Sequence, residues 1–187
     1  MRIALAGTQS TGKTTLAEAI SRRIARSQVE EEPIRAVARA TGEPPPAVPT
    51  EAAERRLIAY GTARIEAAPE GRTTIFDRSP LDAYAHAILS AEIGGPVGRA
   101  FLAEMRPRVA APLDLLDLVV FVPLDPALAN EEDGFRYLDP AGRRRVDEII
   151  RDLLDPRYPI TRTPVIVARG DVERRIEQVM RWMPKTP

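Results

Sequence analysis

The sequence contains no cysteine, which excludes a disulfide framework, a thiolate zinc site and thiol catalysis. Its one histidine, His86, cannot build a metal site that needs two imidazoles, and most zinc hydrolase sites are excluded with it. Lysine is nearly missing too: of the 27 basic residues only Lys13 and Lys185 are lysines. An arginine bias suits planar, bidentate contacts to phosphate, and GC-rich coding DNA accounts for it equally well. Neither sign of charge is in excess, with 27 acidic residues against 27 basic ones, so nothing global draws the chain to nucleic acid or an anionic membrane. No run approaches the roughly 18 apolar residues of a membrane span, and the start of the chain lacks a signal-peptide core. A cytoplasmic protein without a membrane partner is expected. A length of 187 residues suits one domain, expected over residues 1–187.

What is present is an alternation of short apolar runs with longer helical patterns, which reads as α/β with a parallel sheet. The runs RIALAG (2–7), SQVEEE (27–32), TTIFDR (73–78), LVVFVP (118–123) and PVIVARG (164–170) are the five strand candidates. Those at 73–78 and 118–123 are almost continuously apolar, as strands covered on both faces are. A helix is expected from about Lys13 to Arg26, with Leu16, Ile20 and Ile24 facing the sheet. TGEPPPAVPTE (41–51) is too proline-rich for helix or central strand and reads as a surface loop between helices. Val146, Ile149, Ile150, Leu153 and Leu154 form the apolar stripe of a late amphipathic helix. Asp171 is placed to cap a final helix with Val172, Ile176, Val179, Met180 and Met183 on one face.

Between the first strand and first helix stands GTQSTGKTT, which matches G-x-x-x-x-G-K-[ST] through Gly7, Gly12, Lys13 and Thr14. Glycines let the backbone of Gly7, Gln9, Ser10, Thr11 and Gly12 curl until successive N–H groups point at phosphate oxygens, and the helix N-terminus adds its positive end. Lys13 brings a full charge to the β- and γ-phosphates, Thr14 supplies a hydroxyl for Mg²⁺, and Thr15 continues the cradle. A bound ATP or GTP with Mg²⁺ follows. The guanine-selecting N-K-x-D pattern has no counterpart in FVPLDP or VARGDV, which favours ATP.

In an open α/β sheet, ligands sit beyond the carboxyl ends of the strands. There the second strand offers Glu30, Glu31, Glu32 and then Arg35, and the third offers Asp77, Arg78 and Ser79. EEP-x-R followed by DRSPLDAYAH resembles the nucleoside and nucleoside-monophosphate kinases among P-loop proteins. The likeness is strongest to the ribosylnicotinamide-kinase-like branch, with an AAA_28-like ATP-binding domain. It implies a three-layer P-loop NTPase sandwich with five parallel strands in the order 2-3-1-4-5, a region covering the acceptor at about 33–72 and an arginine-rich lid at about 124–145. Carried over, Glu32 is the base for the acceptor hydroxyl and Asp77 supports Mg²⁺ together with Thr14, unless those two acids exchange roles. Arg78 then meets the phosphates or the acceptor, and Arg35 the substrate.

DGFRYLDPAGRRRVDE supplies Arg136, Arg143, Arg144 and Arg145, and transfer of a phosphoryl group calls for such cations around a spread negative charge. At 100° per residue, Arg143 lies on the edge of the apolar face set by Val146, Ile150 and Leu154, while Arg144 points away. The resembled kinases carry D-G-x-R and D-P-x-x-R at similar spacing, which singles out Arg136 and Arg143. The resulting expectation is a kinase moving the γ-phosphoryl of ATP to a hydroxyl of a small nucleoside- or ribose-like acceptor. A nucleotide-switch ATPase acting on a partner is the leading alternative, and a polynucleotide-end kinase the third. Surface positions are expected for His86, which lies about 140° from the Leu81 stripe, and for Arg174 and Arg175. For Asp82, solvent and substrate stand as equal expectations.

Overall fold

The computed structural model of the chain describes residues 1–125 and 140–183. Strands β1 (Arg2–Ala6), β2 (Ser27–Glu30), β3 (Thr73–Asp77), β4 (Leu118–Phe121) and β5 (Val165–Val167) pair in parallel. Their order is β2-β3-β1-β4-β5, the order expected from the sequence. Each strand is shorter than its apolar run. β2 stops at Glu30 because Pro33, three residues further on, opens helix α2 (Pro33–Thr41), where its fixed φ suits the first helical turn.

Strand alternation divides the core into two layers. Ile3, Leu5, Ile75, Leu118 and Val120 face Leu16, Ala17 and Ile20 of α1 (Lys13–Arg23), and Ile176 and Val179 of α7 (Val172–Trp182). On the other side Ala4, Ala6, Phe76, Val119 and Phe121 meet the buried faces of α3 (Glu51–Glu66), α4 (Pro80–Glu92), α5 (Arg99–Leu113) and α6 (Pro140–Leu153). Each fully buried Leu, Ile or Phe is worth about 1.5–3 kcal/mol, and this continuous core carries the charges gathered at the sheet's carboxyl edge.

Caps explain where the helices start. Thr50 accepts from the Ala53 amide to open α3, and Asp171 accepts from the Arg174 amide to open α7. Ser79 and Asp82 form a reciprocal capping box on α4. Helix α1 follows Gly12 with no side-chain cap, so its first amides are left for something other than the protein's own side chains. Because all five strands run the same way, the segments that follow β1, β2 and β3 converge at one edge, and the site lies there. No described helix is long and apolar enough to cross a membrane.

Candidate active site

The loop after β1 is fixed by contacts that glycine alone permits. A Cβ on Gly7 would stand 2.4 Å from the carbonyl oxygen of Val122, so β4 passes directly behind the loop. Gly12 has φ +82°, a left-handed turn that aims the following amides along α1. Inside the curl, Thr11 Oγ1 donates to the Thr8 carbonyl at 3.2 Å. The Lys13 ammonium donates to the same carbonyl and lies 3.2 Å from Thr11 Oγ1. Lys13 is only 4 % exposed, and this burial, with Arg78 nearby, lowers its pKa to about 7 against the pull of Asp82, Asp77 and Glu32. The free site is thus short of negative charge around its lysine, as a phosphate receptor should be.

Asp77, at the end of β3, accepts a hydrogen bond from Thr14 Oγ1 at 2.5 Å. A hydroxyl and a carboxylate in contact form a hard oxygen pair of the kind Mg²⁺ takes when most of its other ligands are water and phosphate. No cluster of three or more acidic or imidazole side chains occurs among the described residues, so this fit is to a nucleotide-borne Mg²⁺ rather than to an all-protein cage. Ser10, Thr11, Gly12, Lys13, Thr14 and Thr15 share a cleft of about 160 Å³ with Glu32, Arg35, Asp77 and Arg78. That is below the roughly 300–1,000 Å³ of sites enclosing whole ligands, and is room for a phosphate chain and a metal.

The three glutamates after β2 separate by what they touch. Glu31 pairs with Arg39 at 2.6 Å on the surface, and Glu30 pairs at 3.3 Å with Arg64, whose guanidinium lies over the Tyr60 and Phe76 rings. Glu32 turns inward: its Oε1 is 2.5 Å from Nε of Arg78, and its Oε2 accepts from Arg35 at 3.3 Å. Arg78 has φ +74°, an uncommon conformation outside glycine, and its Nη1 donates to the Gly7 carbonyl at 3.2 Å. One arginine therefore joins the second-strand acid to the phosphate loop.

Asp82 is not a solvated carboxylate but a buried one, 2 % exposed. Its Oδ1 accepts the Gly7 amide at 3.0 Å and its Oδ2 accepts the Ser79 amide at 3.0 Å, and Arg78 Nη1 lies 3.7 Å away. Burial pushes its pKa up, opposed by Arg78, Lys13 and the two amides. Asp82→Ala strands two buried amide donors, each costing about 1–3 kcal/mol. Urea denaturation is expected to show a loss of roughly 2–6 kcal/mol by that arithmetic, and a loss under about 1 kcal/mol would refute the anchoring role. His86 also departs from expectation. It is 1 % exposed, because α4 is enclosed by α3, α5 and α6 as well as by the sheet.

Of the lid expected at about 124–145, residues 126–139, Arg136 among them, lie outside the described residues. Arg143 is buried and donates through Nη2 to the Gln9 carbonyl at 3.1 Å, and among the described residues its Nε has no acceptor. Arg144 is exposed, and Arg145 forks onto Glu92 at 2.8 Å and Glu148 at 2.9 Å. Gln9 too is buried, and its Nε2 meets no protein acceptor. These spare donors ring the cradle. Arg175, expected at the surface, is 5 % exposed and donates through Nη1 to the Thr11 carbonyl at 2.6 Å. The sequence did hold a signal for this: at 100° per residue Arg175 lies on the edge of the stripe of Val172, Ile176 and Val179, and its exposed neighbour Arg174 points away from it. For Asp82 and His86 there was one too: from Leu81 to Ala91 the helix carries a single acid and no Arg or Lys, and a helix that is apolar all round is buried.

No curated protein sequence matches the chain. Among solved structures it is similar to a deoxyadenosine kinase from M. mycoides, solved with dCMP and dCDP bound, at TM-score 0.71 and 14 % identity over 97 % of both chains. It is similar to a thymidylate kinase from Candida albicans at TM-score 0.72 and 16 % identity, covering 96 % of this chain and 89 % of that one. A third likeness is to NadR protein in complex with NR, at TM-score 0.70 and 18 % identity, over 97 % of this chain and 51 % of NadR. The fold is accordingly that of the P-loop kinases. The AAA_28 family model, described as an AAA domain, matches residues 2–175, and the chain belongs to that family.

Proposed function

We propose that the protein is an ATP-dependent kinase that transfers the γ-phosphoryl group to a hydroxyl of a small nucleoside- or ribose-like acceptor. The observation that carries this reading is the buried Glu32–Arg78 pair, set across one cleft from Thr14–Asp77. A loop that only held nucleotide would need the second contact and not the first. Mg²⁺, held by Thr14 and Asp77, would neutralise charge on the bridging phosphates when bound.

Glu32 accepts the proton of the acceptor hydroxyl as its oxygen attacks the γ-phosphorus and the bond to the β-bridging oxygen breaks. Arg78, already beside Glu32, holds both the carboxylate and the incoming oxygen in line. Lys13, the loop amides and Arg143 take up the charge that builds on the leaving ADP. The non-reacting end of the acceptor fits a cavity of about 290 Å³ between α2, the loop at 42–50 and α3. Ile34, Val37 and Leu57 line it, Glu54 and His86 are buried polar groups among several in its wall, and that wall begins two residues from Glu32.

Two measurements test the reading. ADP release should rise several-fold when the right member of a nucleoside and ribose-derivative panel is added, and no response to any acceptor would remove the kinase assignment. Arg143→Ala should lower kcat about 10²-fold, as for one charge-stabilising donor, and Arg144→Ala should leave it nearly unchanged. Equal effects in steady-state assays would contradict the inward role of Arg143.

A further inference from the structure

The cradle depends on which way its peptide planes face, and a residue near the end of the described chain holds one of them. Across a planar trans peptide, a carbonyl and the N–H that follows it point in opposite directions. Turning the Thr11 carbonyl outward therefore turns the Gly12 N–H inward, toward a phosphate. The outward carbonyl accepts from Arg175 Nη1 at 2.6 Å, in a bond between residues far apart in sequence and shut away from water. The approach is close: a Cβ on Gly12 would stand 3.3 Å from that same Nη1. Without this bond nothing in the backbone would fix the plane, because Gly12 takes up right- and left-handed conformations at similar cost. Arg143 makes the matching contact to the Gln9 carbonyl from α6, which faces the Ser10 N–H inward.

We propose that Arg175 is a positioning residue of the donor site, through which the C-terminal helix sets the affinity of the phosphate loop for polyphosphate. Its surroundings suit that duty. Asp171 fixes the start of α7, accepting the Arg174 amide at 2.9 Å through its side chain and the Arg175 amide at 3.1 Å through its carbonyl. Ile176 and Val179 anchor the helix in the core shared with α1. Among the described residues Arg175 Nε is buried with no acceptor, so the guanidinium is held for the loop and not spent on an ion pair at that atom. The charges of Asp125 and Asp171 offset part of its desolvation.

This inference rests on the nucleotide-binding part of the proposed function and not on the identity of the acceptor, so it is tested by binding alone. Dissociation constants for ATP and for inorganic pyrophosphate would be measured by calorimetry on the full chain and on Arg175→Met, Arg175→Lys and Arg174→Met. Arg175→Met keeps the packed stem and loses the donor. Both constants should rise by roughly 10–100-fold, the scale of a misaligned bond to a charged group. Arg175→Lys should recover part of the loss, and Arg174→Met should match the parent. The Gly12 amide resonance should be sharp in the parent and should broaden in Arg175→Met as the peptide samples both orientations. A fall in melting temperature with both constants unchanged would make Arg175 a purely structural residue and overturn the proposal. So would weaker ATP binding with pyrophosphate unaffected, since that places Arg175 at the base or ribose. A chain that binds ATP as expected but phosphorylates no acceptor would count against the kinase reading and leave this one standing.

Discussion

Lys13→Met is expected to abolish most turnover and yet make the nucleotide-free protein more stable. Lys13 is the only lysine among the described residues, and it is buried against a carbonyl and a hydroxyl with no carboxylate in direct contact. Losing its charge should lower turnover by roughly 10²–10³, the scale for removing one preorganised stabilising group. The stability gain has a defined pH dependence. With its folded-state pKa near 7 and its ordinary value at 10.5, the unfolded chain binds the extra proton between those limits. Parent stability therefore rises with pH through that window, and the full cost of burying the charge is present below it. The advantage of Lys13→Met should be largest below pH 7 and fade toward pH 10.5, read as the difference in melting temperature. Near-normal turnover, or a variant less stable at pH 6, would contradict this account of the cradle. Nucleotide binding at pH 8 should, by the same logic, take up a proton, seen as a dependence of binding heat on the buffer's ionisation enthalpy.

The second large effect is expected from Glu32→Gln. It removes the proton acceptor and keeps the size, so transfer should drop by about 10²–10⁴, the usual contribution of a general base. ATP affinity should change by no more than a few-fold, because Glu32 pairs with Arg78 and Arg35 while Lys13 and the loop amides face the phosphates. Breaking a buried pair can cost about 3–5 kcal/mol, but Arg78 keeps Asp82 at 3.7 Å and the Gly7 carbonyl, so the fold should survive with a lower melting temperature. Should ATP affinity collapse instead, Glu32 belongs with the metal and Asp77 becomes the candidate base.

The sheet was legible because β1, β4 and β5 lie in nearly continuous apolar runs and the phosphate loop fixes where the first one ends. The strand order was legible only through the resemblance to P-loop kinases, carried by the residues that follow the second and third runs. The cluster joining Glu32, Arg78 and Asp82 was legible only in part. Glu32 and Arg78 stand at strand ends, where charge calls for an explanation. Asp82 sits in the first turn of a helix, where solvent and substrate were equal expectations and burial was not one of them. A helical wheel describes one helix against one neighbour, and α4 has several. His86 was misplaced for the same reason. For Arg175 the stripe of α7 marks the inward side, but its partner is a carbonyl brought near by the packing of α7 on α1, and sequence spacing holds no trace of that contact. Within the lid helix the wheel served better, because α6 offers only one face to the core, and it placed Arg143 inward and Arg144 outward.

The central claim is that the γ-phosphoryl group passes to an acceptor and not to water. The most direct measurement follows ATP labelled in the γ-phosphate, incubated with the protein, Mg²⁺ and a deproteinised metabolite pool. Transfer predicts that most of the label leaving ATP appears in one new phosphate ester, and that Glu32→Gln removes that ester while ATP still binds. Label recovered only as inorganic phosphate, at a rate the pool does not alter, would contradict it and mark the protein as a nucleotide hydrolase.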